Sequence, residues 1–252
     1  MDSFKRKPVS VCMAVFNGEL FLKQQIDSIL FQLDHELDEL IIVNDFSTDN
    51  SRKIIDDYHN PKIKIFENNV NLGYKNSFQK AIEYAENHVI FLSDQDDIWI
   101  EGRLMKIYNT LNDSGKLLVC SNFKTFSERD NHRERFKTKL TQYDNKVSHT
   151  RNILRIFKGD IAYFGCTMAF KSEMKKYILP FPHYFHAHDL WIAMVGNVKR
   201  SIFHLEDVTL LHRIHNNNTS FVKNKLYKKM FRRFLFIKGW MEAIRRNIFV
   251  NL

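Results

Sequence analysis

The chain has 252 residues, of which 44% are hydrophobic, so it can bury a sizeable core and a disordered chain is excluded. Lys and Arg outnumber Asp and Glu by 38 to 29, and this basic balance predicts an acidic partner such as nucleic acid, anionic lipid or a phosphorylated substrate. Cys12, Cys120 and Cys166 are too few and too far apart for a disulfide framework or a zinc site, and no apolar stretch reaches the roughly 20 residues of a membrane-spanning helix.

Short apolar runs alternate with helical patterns along the first half of the chain. Strands are predicted at residues 9–16, 40–43, 63–66, 89–92 and 117–120. Between the first two, Leu22, Ile26 and Ile29 recur at helical spacing. This alternation predicts a parallel sheet covered by helices on both faces, with ligands beyond the carboxyl ends of the strands. Residues 122–151 are polar and aperiodic, which predicts a long loop over the site.

Three carboxylates directly follow the fourth predicted strand, in VIFLSDQDDIW at residues 89–99. Asp94, Asp96 and Asp97 repel one another unless a cation joins them. Their oxygens suit Mg²⁺ or Mn²⁺, which proteins hold with one or two carboxylates plus substrate phosphates. The alternative is a solvated acidic loop.

A second acid, Asp45, ends the second predicted strand. A carboxylate at that place can accept the N3–H of a uracil or thymine ring. The alternative is a helix N-cap, which fits Asp49 better than Asp45.

The segment HYFHAHDLW, at residues 183–191, places Asp189 at the start of an apolar helix, where it can serve as a general base. Its histidines also permit a zinc site, but no cysteine or second histidine pair completes one, and a simple N-cap is a further alternative. Farther along, Arg213 and His215 predict an anion clamp with His215 as a metal ligand, against the alternative of a polar loop.

These segments resemble a known family when their order and spacing are taken together. SVCMAVFNG, IIVNDFSTDNS, NLGYKNSF and SDQDDIW resemble family 2 glycosyltransferases with the GT-A fold. FGCTMAF, LPFPHYFHAHDLW and HRIHNNN resemble the rhamnosyltransferase-like branch of that family. The resemblance covers about residues 8–221. It implies an α/β fold with a Rossmann-like, mostly parallel sheet flanked by helices. A catalytic domain at 1–221 would have a nucleotide-binding half at about 8–121 and an acceptor half at about 150–221.

The resemblance also implies residue roles. Asp189 matches the catalytic base. Asp96, Asp94 and His215 match a site for Mn²⁺ or Mg²⁺. The donor-binding set that it implies is Ala14, Phe16, Asn17, Asp45, Asn71, Gly73, Asp94, Gln95, Gly165 and Arg213. The chain departs from the family pattern at His212 and Ile214, where Tyr and Gln are usual, and at Asn44 and Phe46, where Asp and Gly are common.

The implied function is inverting, metal-dependent transfer of a sugar from a nucleotide-diphosphate donor, either dTDP-rhamnose or a UDP-hexose. The acceptor would be a hydroxyl of a glycan or lipid-linked oligosaccharide in bacterial surface polysaccharide synthesis, such as lipopolysaccharide or capsule. A catalytically inactive nucleotide-sugar or polyanion-binding module is the alternative. Nucleic acid is not an expected partner, because the acidic strand ends would repel a phosphate backbone.

Residues 222–252 form a predicted basic amphipathic helical tail. One apolar stripe comprises Leu226, Met230, Phe234, Ile237, Met241, Ile244 and Ile248. The basic residues around it are Lys223, Lys225, Lys228, Lys229, Arg232, Arg233, Lys238, Arg245 and Arg246. Such a helix suits an anionic membrane surface, which predicts a cytoplasmic protein held peripherally at the inner face of the cell membrane. The alternative is a helix that docks on the catalytic domain.

Overall fold

A computed structural model describes residues 6–127, 139–161, 163–215 and 226–250, with the side chains of residues 226–232 left out. Its eight strands form one mixed sheet in the order β3-β2-β1-β4-β7-β6-β8-β5. The strand and helix pattern of the first half confirms the predicted α/β fold.

The first half of the sheet is parallel. Its strands are β1 (Val9–Val15), β2 (Glu39–Asn44), β3 (Ile63–Glu67) and β4 (Val89–Ser93). Between them lie α1 (Leu22–Leu30), α2 (Ser51–Asp56) and α3 (Tyr74–Tyr84). Because β1 pairs in parallel with both β2 and β4, their carboxyl ends open at the same edge of the sheet.

The second half is mixed. After β4 come β5 (Ile98–Trp99), α4 (Arg103–Asp113), β6 (Leu118–Phe126), α5 (Gln142–Lys146), α6 (His149–Lys158), β7 (Met168–Lys171), α7 (Lys175–Ile178), α8 (His188–Val198), β8 (Ile202–Arg213) and α9 (Leu226–Phe249). β7 runs antiparallel to β4 and β6, β5 runs antiparallel to β8, and β6 pairs with β8 in parallel. The long β8 therefore carries its last residues toward the end of β4.

The prediction of a long loop at residues 122–151 was wrong over much of that range. Residues 122–126 continue β6 and pair with β8, and α5 with the start of α6 occupies much of 142–151. Residues 122–126 are extended because they pair with β8, and their own sequence has no alternating apolar pattern that would have predicted a strand. Residues 128–138 of the predicted loop lie outside the described residues.

Alternate residues of the central strands fill two cores, one on each face of the sheet. On one face Ile41 and Val43 of β2 pack with Phe78 of α3 and with residues of α8. On the other face Ile42 packs with Ile26 of α1. Cys12, Cys120 and Cys166 are buried free thiols, as predicted.

The last helix, α9, packs on the domain through a narrow face. Phe236 and Ala243 are buried against the core that contains α8. Gly239 lies so close to the Phe185 ring that a Cβ there would stand 2.6 Å from Cε2, so glycine serves close packing. The predicted tail boundary at residue 222 lies outside the described residues and stays a prediction.

The apolar stripe predicted for the tail lies on the opposite, solvent-facing side of α9. We call its described members the apolar ridge: Phe234, Ile237, Met241, Ile244 and Ile248, all more than 40% exposed. Leu226 and Met230 of the stripe lie where side chains are not described, and Lys223 and Lys225 lie outside the described residues. Among the helices of the described chain, none combines the length and apolar character needed to cross a bilayer.

Candidate functional site

The acids after β4 form a compact cluster at the carboxyl edge of the sheet. One carboxylate oxygen from each of Asp94, Asp96 and Asp97 lies within 4.8 Å of the others. Burial, together with the charges of Asp97 and Asp96, raises the pKa of Asp94 well above its usual range. The crowding of like charges in a partly dry place favours a cation.

Asp97 is the buried member of this cluster and fixes the end of β8. Its Oδ1 accepts hydrogen bonds from His212 Nδ1 at 2.8 Å and from the backbone N–H of Arg213 at 3.1 Å. Although burial lowers the pKa of His212, the hydrogen bond and charge of Asp97 raise it overall, so this pair is held as an ion pair. The sequence grouped Asp97 with Asp94 and Asp96 as a cation site and showed His212 as a departure from the family pattern, but it did not reveal that these two residues pair.

Two further predicted residues from the end of β8 meet the acidic cluster. His215 Nε2 lies 2.7 Å from Asp96 Oδ2, and Arg213 Nε donates to the backbone carbonyl of Asp96 at 3.0 Å. The Arg213 guanidinium stacks between the rings of Phe21 and Phe126, 4.5 and 4.6 Å from their centroids. The predicted anion clamp and metal ligands therefore share one corner of the cleft.

Asp189 sits in the first turn of α8, as predicted. Its Oδ1 accepts the backbone N–H of Leu190 at 2.7 Å, and the backbone of Gly165 lies close enough to the carboxylate to favour its charged form. Burial nevertheless raises the pKa of Asp189 to about 6. A carboxylate of that pKa is ionised at neutral pH and is a stronger base than a fully solvated one.

Gly165 and Cys166 connect Asp189 to the acidic cluster. Gly165 contacts Asp189 as described, while the Cys166 thiol groups with Asp97 and His212 within 4.8 Å. The charge of Asp189 also contributes to raising the pKa of Asp94. Gly165 and Cys166 thus connect the predicted base to the acids, and we infer that the base and the acids line one cleft.

His188 was not assigned a role by the sequence analysis, although it lies in the same motif as Asp189. Its ring stacks on Phe78 with centroids 4.5 Å apart, and Tyr74 and Phe181 flank it. Within the described residues neither ring nitrogen has a hydrogen-bond partner, and burial lowers the pKa of His188 to about 3. A Cβ on Gly165 would stand 2.9 Å from Nε2, so the two residues pack closely beside the base.

Asp45 is brought to the predicted donor loop, but with most of its acceptor capacity already used. Its Oδ1 accepts from Asn68 Nδ2 and the Leu72 amide, and its Oδ2 accepts from the Gly73 amide, each at 2.8 Å. Two carboxylate oxygens offer about four acceptor positions, so one remains for a ligand N–H. Asn71 is exposed beside this loop.

The predicted donor residues at the end of β1 are tied to the loops beside them. Phe16 exchanges two backbone hydrogen bonds with the Gln95 carboxamide, at 2.8 and 3.1 Å. Asn17, at a φ of +48°, accepts from the Thr48 amide at 2.8 Å. Ala14 is partly buried, while Phe16 is 44% exposed. Gln95 and Asn17 therefore shape the loops, and Phe16 offers an open ring face.

The side chains of the acidic corner fit a divalent cation. Clustered carboxylate oxygens and one imidazole nitrogen are a donor set that Mn²⁺ accepts readily, and the carboxylates alone suit Mg²⁺. Burial raises the pKa of Asp94 first, and repulsion from Asp97 and Asp96 raises it further; a bound cation would offset that repulsion.

A mixed sheet with acids at its ligand edge and a carboxylate across the cleft is the architecture of a GT-A glycosyltransferase. The sequence model of the family described as "Glycosyl transferase family 2" matches residues 10–178. This match covers more than half of the chain, and the chain belongs to that family.

Three similar proteins illustrate the match. The dTDP-rhamnosyl transferase RfbG of Shigella flexneri is 26% identical over 248 residues, covering 86% of this chain and 81% of RfbG. The UDP-Glc:alpha-D-GlcNAc-diphosphoundecaprenol beta-1,3-glucosyltransferase WfgD of Escherichia coli is 32% identical over 96 residues, 38% of each chain. The crystal structure of S. aureus TarS 1-349 in complex with UDP-GlcNAc superposes with a TM-score of 0.70 at 19% identity, covering 95% of this chain and 72% of that one. The chain spans less than two thirds of the length of some curated relatives.

Proposed function

We propose that this glycosyltransferase moves a sugar from a nucleotide-diphosphate donor to an acceptor hydroxyl in a single inverting displacement. The observation that carries the proposal is the position of residues 165–166, since Gly165 lies beside Asp189 and the Cys166 thiol lies within 4.8 Å of Asp97. Inverting transfer needs a base on the acceptor side and charge compensation on the leaving-group side, and the cleft offers both.

Asp94, Asp96 and His215 are the proposed ligands of Mn²⁺ or Mg²⁺. Such an ion, when bound, neutralises charge that develops on a leaving diphosphate. Arg213 would also stabilise the negative charge on the leaving diphosphate, since its guanidinium is buried at the end of β8 beside Asp96.

Asp189 is the proposed general base. As the acceptor oxygen attacks the anomeric carbon, its proton passes to the Asp189 carboxylate and the bond from that carbon to the phosphate oxygen breaks, releasing a nucleoside diphosphate. The amide of Leu190 orients the carboxylate throughout. His188 remains neutral beside it and adds no competing positive charge.

The proposed donor is dTDP-rhamnose or a UDP-hexose. The names of RfbG and of the TarS complex support these two classes respectively. Asp45 would accept the pyrimidine N3–H with its remaining acceptor position, and Ala14 and Phe16 would line the base pocket. Asn17, Asn71, Gly73, Gln95 and Gly165 complete the proposed donor set.

The proposed acceptor is a hydroxyl of a lipid-linked glycan in bacterial surface polysaccharide synthesis. The name of WfgD, whose substrate is a sugar on diphosphoundecaprenol, supports this class. The apolar ridge of α9, with Lys238 and Arg245 beside it, supports peripheral binding to an anionic membrane. The protein would then act from the cytoplasm at the inner face of the cell membrane.

A panel of nucleotide sugars with Mn²⁺ tests the proposal. Each candidate is scored for thermal stabilisation of the protein and for slow hydrolysis of the donor, with free nucleotides as controls. One donor should stabilise the protein and be hydrolysed at the glycosidic phosphate bond. Stabilisation with no turnover, even with lipid-linked acceptors added, would favour the inactive binding module instead.

A further inference from the structure

A groove runs between α9 and the segment that leads to Asp189. Residues 180–184 form one wall, and Lys238, Glu242 and Arg246 of α9 form the other, enclosing about 460 Å³. A volume of this size is in the range of small-molecule sites. The groove lies beyond residue 178, where the match to the family ends, so it belongs to the part of the chain that the family match does not cover.

Arg246 ties the two walls together. Its guanidinium donates to the backbone carbonyls of Pro180 at 2.8 Å and Tyr177 at 3.2 Å, and to Glu242 Oε1 at 2.9 Å. It also lies 5.1 Å from the centroid of the Trp191 ring in α8. These contacts hold the groove at a fixed width, since α9 cannot move away without breaking several charge-assisted hydrogen bonds.

The groove keeps a surplus of positive charge. Glu242 is already paired with Arg245 and Arg246, and these partners lower its pKa to about 2. The Lys238 ammonium lies 4.2 Å over the centroid of the Tyr184 ring, and in the described part of the chain no carboxylate pairs with it. Lys238 is therefore a cation at the groove that is available for an anion.

The wall of the groove also separates two sides of the site. Lys75 Nζ donates to the carbonyls of Pro182 and His183 at 3.3 and 3.1 Å. Lys75 belongs to α3, whose first turn follows the loop that holds Asp45. The segment thus lines the groove and is also tied to α3, which follows the proposed donor loop, and it leads to Asp189 along the chain.

We propose that this groove binds the diphosphate end of a lipid-linked acceptor, with Lys238 as its principal contact. The inference rests on the proposed function, because an inverting displacement requires the acceptor to enter opposite the leaving diphosphate. The aromatic and proline side chains of residues 180–184 give the adjoining sugar an apolar wall. The apolar ridge on the same helix would place the lipid surface beside the groove.

Calorimetric titration in solution tests the groove. The probe is undecyl diphosphate-linked N-acetylglucosamine below its micellar concentration, titrated without donor into the full chain and three variants. Lys238→Gln should weaken binding about tenfold, because one contact between charged groups is lost. Lys238→Arg should stay within about threefold of the parent, and Arg233→Gln, which removes one charge elsewhere on α9, within about twofold.

Two further measurements distinguish failure of the groove proposal from failure of the proposed glycosyltransferase function and from binding to lipid headgroups alone. Donor hydrolysis is measured in the same preparations, so that loss of the proposed function is recognised independently of probe binding. Binding to phosphatidylglycerol vesicles without the probe reports on the lipid headgroup alone. Equal probe affinity of Lys238→Gln and the parent, or no binding by the parent, would overturn the groove proposal. The groove proposal would also be overturned if Lys238→Gln weakened binding to the vesicles but not binding to the probe.

Discussion

The proposed donor edge of the cleft and its proposed acceptor side are built differently. At the proposed donor edge, the side chains of Asp45 and Gln95 form most of their hydrogen bonds with neighbouring loops. On the acceptor side, His188 leaves both ring nitrogens without a partner among the described residues, and the ridge of α9 faces solvent. The loops at the proposed donor edge are therefore held by hydrogen bonds within the protein, whereas the proposed acceptor side keeps polar and apolar groups that a ligand or surface could satisfy.

Chelation should strongly reduce transfer, because it removes the divalent ion that is proposed to bind at the acidic cluster. Removal of divalent cations with EDTA should lower transfer by about 100-fold or more, since charge on the leaving diphosphate would lose its counter-ion. Added Mn²⁺ or Mg²⁺ should restore the rate. Steady-state transfer assays measure this, and full activity in excess chelator would contradict the metal assignment.

Gly165→Ala should displace Asp189, the proposed base. The new Cβ would meet His188 Nε2 at 2.9 Å and Asp189 Cβ at 3.7 Å, and the ring stacked on Phe78 cannot swing away freely. A displaced base should reduce kcat by roughly 10- to 100-fold.

The double variant Gly165→Ala/His188→Ala supplies the control for this prediction. Removal of the ring makes room for the methyl group, so the double variant should be no slower than His188→Ala alone. Additive losses would show that Gly165 acts by another route.

The pH profile of kcat/KM should reflect Asp189. Because burial raises its pKa to about 6, the carboxylate is ionised above that pH and protonated below it. Activity should therefore rise with pH through about 6 and fall about tenfold for each unit below it. Donor affinity at saturating Mn²⁺, measured over the same range, corrects for titration of the acidic cluster, and a flat corrected profile between pH 5 and 7 would contradict the assignment.

The smallest expected effect concerns the ridge. Met241→Ser/Ile244→Ser should reduce binding to anionic vesicles by roughly tenfold, because two exposed apolar side chains are lost from the membrane-facing surface. Leu20→Ser/Leu37→Ser, which changes two apolar residues that are even more exposed and lie far from α9 in sequence, is the matched control. Co-sedimentation measures both, and equal binding by the two double variants would remove the ridge from membrane attachment.

The donor edge could be predicted from sequence because parallel strands deliver the residues that follow them to one edge. Asp45 after β2 and Asp94 after β4 needed only the apolar runs before them. The Asp97–His212 pair could not be predicted in this way, since its members are 115 residues apart and meet only when β8 enters the sheet.

The acceptor side shows the same limit. The period of α9 correctly grouped Phe234, Ile237 and Met241 on one face, but the sequence left open whether this face lies outward or docks on the catalytic domain. The face of α9 that docks on the domain carries Gly239 and Ala243, whose small size permits a close approach to neighbouring elements. Average hydrophobicity carries no signal for such a fit.

The central claim is that one cleft holds a diphosphate beside Asp96 and a proton acceptor at Asp189. The most direct measurement compares Asp96→Asn with Asp189→Asn for donor affinity by calorimetry with Mn²⁺ and for single-turnover transfer. Asp189→Asn should bind donor within about threefold of the parent yet transfer at least about 1,000-fold more slowly, whereas Asp96→Asn should lose donor affinity itself. Near-parental transfer by Asp189→Asn, or unchanged donor affinity in Asp96→Asn, would contradict the account.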